Sequence, residues 1–193
     1  MEDLGPTCML PRLLFRLAFA ALLICASAYT DSPVPGPSEY QVKAAFLYNF
    51  VKFVEWPVTA DEPQGPIVMC VIGKNPFGNE LVRAVEGKRV NGRPMVVRHV
   101  TAPGAAMSCH VLFVSSSESG RSTEIANAVR VWSVLTVGES EGFTERGGMV
   151  GFLMDGQRVR FQINLKAAVE AGLKISSKLL QLAAPASGNR GKN

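Results

Sequence analysis

Ser140 is the side chain that comes nearest to a catalytic nucleophile. It stands in Gly138-Glu139-Ser140-Glu141-Gly142, a G-x-S-x-G spacing that follows an apolar run. A hydrolase carries its serine on such a strand-to-helix turn, with its histidine later in the chain. The two histidines, His99 and His110, both precede Ser140, and a serine without a base is a weak nucleophile. The five residues therefore read as a glycine-bounded turn leaving a strand. Glu139 and Glu141 flank the serine. Paired carboxylates can do acid–base work, but in a turn they read as solvated.

Other chemistries lack their parts. Two separated histidines and two cysteines in apolar runs do not supply the three or four ligands of a zinc site. No P-loop spacing occurs, and no G-x-G-x-x-G follows the first strand. That strand leaves through Gly73-Lys74-Asn75-Pro76, a plain turn or a small-anion loop. No catalytic residue, metal or cofactor is expected.

The 193-residue chain opens with a segment that reads as an address rather than as fold. Arg12 and Arg16 precede the apolar run Leu17 to Ala28 (LAFAALLICASA), which ends in Ala26-Ser27-Ala28. Charged flank, short apolar core and A-x-A site make a secretory signal peptide, residues 1–28. The run is too short for a span of about 20 residues, and Cys25 lacks the preceding small residue of a lipoprotein signal. The remaining 165 residues, Tyr29 to Asn193, suit one domain. The formal charge of +4 survives cleavage, because Glu2 and Asp3 leave with Arg12 and Arg16. It is too small and dispersed to argue nucleic acid. Export leaves Cys70 and Cys109, an even pair in an oxidising compartment. They suit a disulfide between neighbouring strands, a redox-active pair or two free thiols.

Residues 29–37 form a proline-rich leader, 38–183 the domain and 184–193 a frayed tail. Ser38 and Gln41 make a capping box. The helix behind it places Val42, Phe46, Phe50, Phe53 and Val54 on one face, with Ala45, Tyr48 and Trp56 widening it, and Pro57 stops it. Apolar strands at 67–73, 95–100, 110–115 and 132–137 alternate with helices at 76–85 and 119–130; residues 87–92 and 101–108 read as loops. Strands at 148–154 and 157–163 form a hairpin through Asp155-Gly156. Helices at 165–171, capped by Asn164 and Gly172, and at 176–182 close the domain. The expected fold is α/β: a single three-layer domain, a mostly parallel sheet of about five to six strands with a C-terminal antiparallel hairpin, and helices on both faces.

Two segments carry an identity. Tyr40 to Pro57 reads YQVKAAFLYNFVKFVEWP. Gly147 to Phe152 (GGMVGF) is followed by Arg158 to Phe161 (RVRF), Ile163 to Leu165 (INL) and Ala171 to Leu180 (AGLKISSKLL). Both resemble the YfiR-like family of exported bacterial proteins, over about Glu39 to Leu182. The resemblance implies an α/β fold, dimers, structural disulfides and a periplasmic regulator in a Gram-negative bacterium. In that family a repressor binds the periplasmic sensor part of an inner-membrane diguanylate cyclase, YfiN, and restrains cyclic-di-GMP synthesis. An outer-membrane lipoprotein, YfiB, sequesters the repressor. Cys70 and Cys109 match one family disulfide; a second, near the GGMVGF segment, has no counterpart, since no cysteine follows Cys109.

The resulting expectation is a non-catalytic regulator acting through protein–protein contact. Tyr48, Phe53 and Trp56 on the aromatic helix, with Arg160, Lys174 and Lys178 on the basic strand–helix surface, are the expected interface. The alternative is a periplasmic small-molecule binding module, with its pocket at the carboxyl ends of the parallel strands, feeding a sensor kinase or uptake receptor.

Overall fold

The computed structural model of the protein describes residues 36–57 and 65–185. The signal peptide, nearly all of the leader and most of the tail lie outside the described residues.

Helix α1 (Glu39–Phe53) begins with the expected capping box. The Ser38 hydroxyl accepts from the Gln41 N–H at 3.3 Å, and Gln41 Oε1 accepts from the Ser38 N–H at 2.8 Å. Its buried residues are Lys43, Ala44, Leu47, Phe50 and Val51. The buried stripe is therefore rotated from the expected one: Ala45 is exposed and Val42 and Phe46 only half-buried. The helix also stops short of Pro57. Val54 and Glu55 form an extended pair, β1 (Val54–Glu55), against β9 (Lys174–Ile175). A β-branched residue with a waiting partner strand ends the helix before proline has to.

The main sheet has seven strands rather than five to six. They are β2 (Ile67–Ile72), β3 (Arg89–Val90), β4 (Arg93–Val100), β5 (Val111–Val114), β6 (Leu135–Gly138), β7 (Val150–Asp155) and β8 (Arg158–Ile163). Their order is β3-β4-β2-β5-β6-β7-β8. The pairings β4–β2, β2–β5, β5–β6 and β6–β7 are parallel; β3–β4 and β7–β8 are antiparallel. The five parallel strands follow the 2-1-3-4-5 order of flavodoxin-like sheets.

The extra strand comes from the expected loop at 87–92. Asn91 (φ 51°) and Gly92 (φ 78°) are both left-handed, which is what the tight turn linking β3 to β4 requires. In the other hairpin Asp155 pairs with Arg158, so the turn residues are Gly156 and Gln157, one position later than expected. Gly156 has φ 59°, and glycine at the first turn position suits the mirror-image geometry.

The helices lie on both faces. Helix α2 (Glu80–Val85) is shorter than expected, and α3 (Ser122–Val129) is preceded by a 3₁₀ turn, Ser116–Arg121. The expected loop at 101–108 is another 3₁₀ turn, Pro103–Ser108. Helix α4 (Leu165–Glu170) is capped by Asn164, whose Oδ1 accepts from the Ala167 N–H at 3.0 Å, and is followed by Gly172 at φ 76°. Helix α5 (Ser177–Leu182) is the last helix of the described residues. Strand β2 is buried throughout, and its residues divide between two cores. Met69 and Val71 join Leu47 and Phe50 of α1, Leu81 of α2 and Ala168 of α4. Cys70 and Ile72 join Ala106, Ile125 and Val129 on the opposite side. Each buried Leu or Phe stabilises by about 1.5–3 kcal/mol, so both helical layers are held by the same alternating strand.

Candidate functional site

Two ends of the sheet hold the polar chemistry, and α1 runs between them. Its first turn meets the carboxyl ends of the strands: Tyr40 packs edge-on against Phe77 and reaches Glu139 beyond β6. Trp56, past its last turn, meets His110 just before β5.

At the carboxyl end, the Lys43 ammonium lies 2.7 Å from Glu139 and 2.5 Å from Glu39. Lys43 and Glu139 side chains are each 5% exposed. The Tyr40 hydroxyl donates to Glu139 at 3.2 Å, and the Ser116 N–H donates to its other oxygen at 3.2 Å. Burial pushes the lysine toward neutrality, but hydrogen bonds to Glu139 and Glu39 outweigh it and hold Lys43 above its usual range. Tyr40 is raised as well, by burial first and by the Glu139 charge second. Glu139 is thus a buried anchor, correcting the expectation of a solvated carboxylate. Only Glu141 is exposed.

Ser140 lies in this turn without a catalytic partner. Its Oγ is buried and makes no hydrogen bond. His99 donates to the Gly73 carbonyl at 2.5 Å, and His110 stands at the other end of the strands. The motif's glycine serves packing: a Cβ on Gly138 would come within 2.6 Å of the Phe143 ring. Gly148 closes on the same ring from the far side.

The crevice where an open parallel sheet binds ligands lies between the carboxyl ends of β2 and β5. Here it is filled from within. The Lys74 N–H donates to Ser117 Oγ at 2.9 Å, and a Cβ on Gly73 would strike Ser117 and Glu118 at 2.5 and 2.6 Å.

At the amino end a cleft of about 570 Å³ is lined by Trp56, Trp132, Arg93, Arg98 and His110 among others. His110 Nδ1 accepts from the Val68 N–H at 3.1 Å, and Arg93 lies 2.9 Å from Nε2. Burial, then the Arg93 charge, lower the imidazole to about 4. The Cys70–Cys109 disulfide lies next to it, joining β2 to the residue before His110, Cα to Cα 6.0 Å.

The six expected interface residues fall on α1, β1's flank, β8, β9 and α5. Tyr48, Phe53 and Trp56 are half-buried and pack against the core, with Lys52 over the Tyr48 ring at 5.2 Å. The β1–β9 pairing sets Lys174 opposite Glu55, and the Ser176 N–H donates to the Phe53 carbonyl at 2.9 Å, so Phe53 stands two positions along from Lys174. Exposed Lys178 follows two residues after Ser176. Arg160 on β8 lies 3.4 Å from Asp155 and lines a groove with Phe46 and Leu182. The Lys43–Glu139 pair was missed by sequence reasoning. Its signal was present: Lys43 stands in register with Leu47, Phe50 and Val54, so a buried lysine needed a partner.

The YfiR/HmsC-like family model (DUF4154) matches residues 40–184. The chain belongs to the YfiR/HmsC-like family. The match covers the capped helix, the sheet and both closing helices. Membership points to a periplasmic regulator rather than an enzyme. Among solved structures, a conserved domain protein from Vibrio cholerae O1 biovar El Tor is 13% identical with TM-score 0.57, over 76% of this chain and 60% of that one. An ABC domain in complex with L-Trp from Streptococcus pneumonia is 12% identical with TM-score 0.52, over 73% and 59%. The chain spans about 60% of either length, and the likeness is one of fold.

Proposed function

We propose that the protein is a periplasmic regulator that restrains a membrane diguanylate cyclase by binding its periplasmic sensor part. The family match over residues 40–184 carries the reading. The mechanism is a population shift: binding the inactive sensor state holds the cyclase there, by as much as the regulator prefers that state. A YfiN-like cyclase is the proposed partner, a YfiB-like outer-membrane lipoprotein the proposed relief, and self-association to a dimer is part of the reading. The surface around Phe53, Lys174 and Lys178 is the proposed contact. Deleting the gene should raise cellular cyclic-di-GMP, measured by mass spectrometry, and complementation should restore it. An unchanged level beside an intact cyclase would sink the reading.

A further inference from the structure

Strand β8 is the outer strand of the seven-stranded sheet. The Ala184 N–H donates to the Phe161 carbonyl at 2.7 Å from the side away from β7, whereas the Asn164 N–H turns inward to Met149 at 2.8 Å. Backbone groups alternate along an antiparallel strand. Val159, Phe161 and Ile163 therefore point their N–H and C=O groups outward, and Arg158, Arg160 and Gln162 point theirs at β7. Among the described residues, Ala184 covers this edge at Phe161 and leaves the Val159 end unpaired.

Beside that free end lies a groove of about 580 Å³. Val42 and Phe46 of α1, Val159 and Phe161 of β8, and Leu182 of α5 give it an apolar floor. Leu182 is 65% exposed. Arg158 and Arg160 form the rim. The Arg160–Asp155 pair is 50% and 69% exposed, and an ion pair in that position contributes little.

We infer that this edge binds an extended acidic segment of a partner protein by strand addition. The inference rests on the reading of the protein as a regulator that works by protein contact. An added strand satisfies the outward groups of Val159, and its side chains alternate between two sides. Apolar residues then fall on the Phe46–Phe161 floor, and acidic ones meet Arg158 and Arg160. A second copy of this chain is a poor occupant. A two-fold antiparallel pairing that avoids Ala184 must centre on residue 158, 159 or 160, and each register sets arginine opposite arginine. Like charges directly opposite are destabilising.

The test uses the purified protein and two blocked nine-residue peptides, one alternating valine with glutamate and one valine with lysine, read by fluorescence anisotropy. The valine–glutamate peptide should bind saturably and the valine–lysine peptide should not. Val159→Pro removes an N–H that faces outward, so the β7–β8 ladder stays whole, and it should weaken binding by at least about tenfold. Arg158→Glu with Arg160→Glu should reverse the peptide preference, which keeps the inference exposed should the proline variant misfold by circular dichroism. No saturable binding, or binding indifferent to both variants, overturns it. So does a wild-type dimer that Val159→Pro dissociates in sedimentation, which would hand the edge to a second copy. Because no cyclase enters this assay, a failed peptide titration beside a deletion strain with raised cyclic-di-GMP removes the edge site and leaves the regulatory reading standing. A positive titration beside an unchanged deletion strain does the opposite.

Discussion

Two titratable side chains, buried Lys43 and half-buried His110, concentrate the electrostatic stakes of this fold, and their pH signatures are opposite. His110 is lowered to about 4 by burial and by Arg93, against about 6.5 for a free imidazole. Between those values the unfolded chain binds the extra proton, so stability falls as the pH drops from about 6.5 to 4. Urea midpoints of the wild type at pH 7 and 4.5 should differ more than those of His110→Gln; equal differences would remove His110 from the account. Lys43 is raised instead, so its contribution is present below its usual value and is lost only as pH climbs through the higher folded one. Breaking one side of this buried pair strands a charge and costs about 3–5 kcal/mol. Lys43→Met should therefore destabilise strongly, and Lys43→Met with Glu139→Gln should recover much of the loss. Purely additive losses in that double-mutant cycle would show that the two side chains do not depend on each other.

Elements with their own local chemistry were legible, and elements made by partners were not. Ser38–Gln41, Asn164 and Gly172 announce helix ends because a cap is satisfied within a few residues of chain. The apolar strands at 67 and 111 are legible because burial on both faces leaves no alternation to misread; the strand expected from 132 starts only at Leu135, because Arg130–Trp132 is a 3₁₀ turn and Ser133 is left-handed. Strand β3 was not: its two residues, Arg89 and Val90, lie between Lys88 and Arg93, and only Asn91-Gly92 betrays the turn. The β1–β9 pair was invisible, since its partners lie some 120 residues apart in sequence. The turn from Gly138 to Gly148 is the instructive case. Its G-x-S-x-G spelling suggests a nucleophile, while its glycines exist to seat Phe143 between them. Gly138→Ala and Gly148→Ala should each cost about 1–3 kcal/mol by forcing that ring out of place. Ser140→Ala should leave the melting temperature nearly unchanged, since its hydroxyl has no hydrogen bond to lose. A calorimetric scan of the three variants decides it: a serine variant as damaged as the glycine ones would restore a role for the hydroxyl.

At the scale of the whole molecule, the strand order brings Cys70 and Cys109 together. Composition and spacing left a bridge, a redox pair and free thiols open; by making β2 and β5 parallel neighbours the sheet joins the two as a disulfide. The bridge closes a loop with a sequence separation of 39, which in the chain-entropy model stabilises by about 4 kcal/mol. Domains of this kind have about 5–15 kcal/mol in total. Cys70→Ser with Cys109→Ser should thus lower the urea midpoint markedly yet leave a folded protein at 25 °C. Both cysteines are nearly fully buried, at 1% and 5% exposure, within the core layer formed with Ile125 and Val129. If the bridge is structural, the double serine variant will still hold cyclic-di-GMP down in the deletion strain at low growth temperature and fail as the temperature rises. Loss of restraint at every temperature, with the variant folded by circular dichroism, would make the disulfide a switch instead.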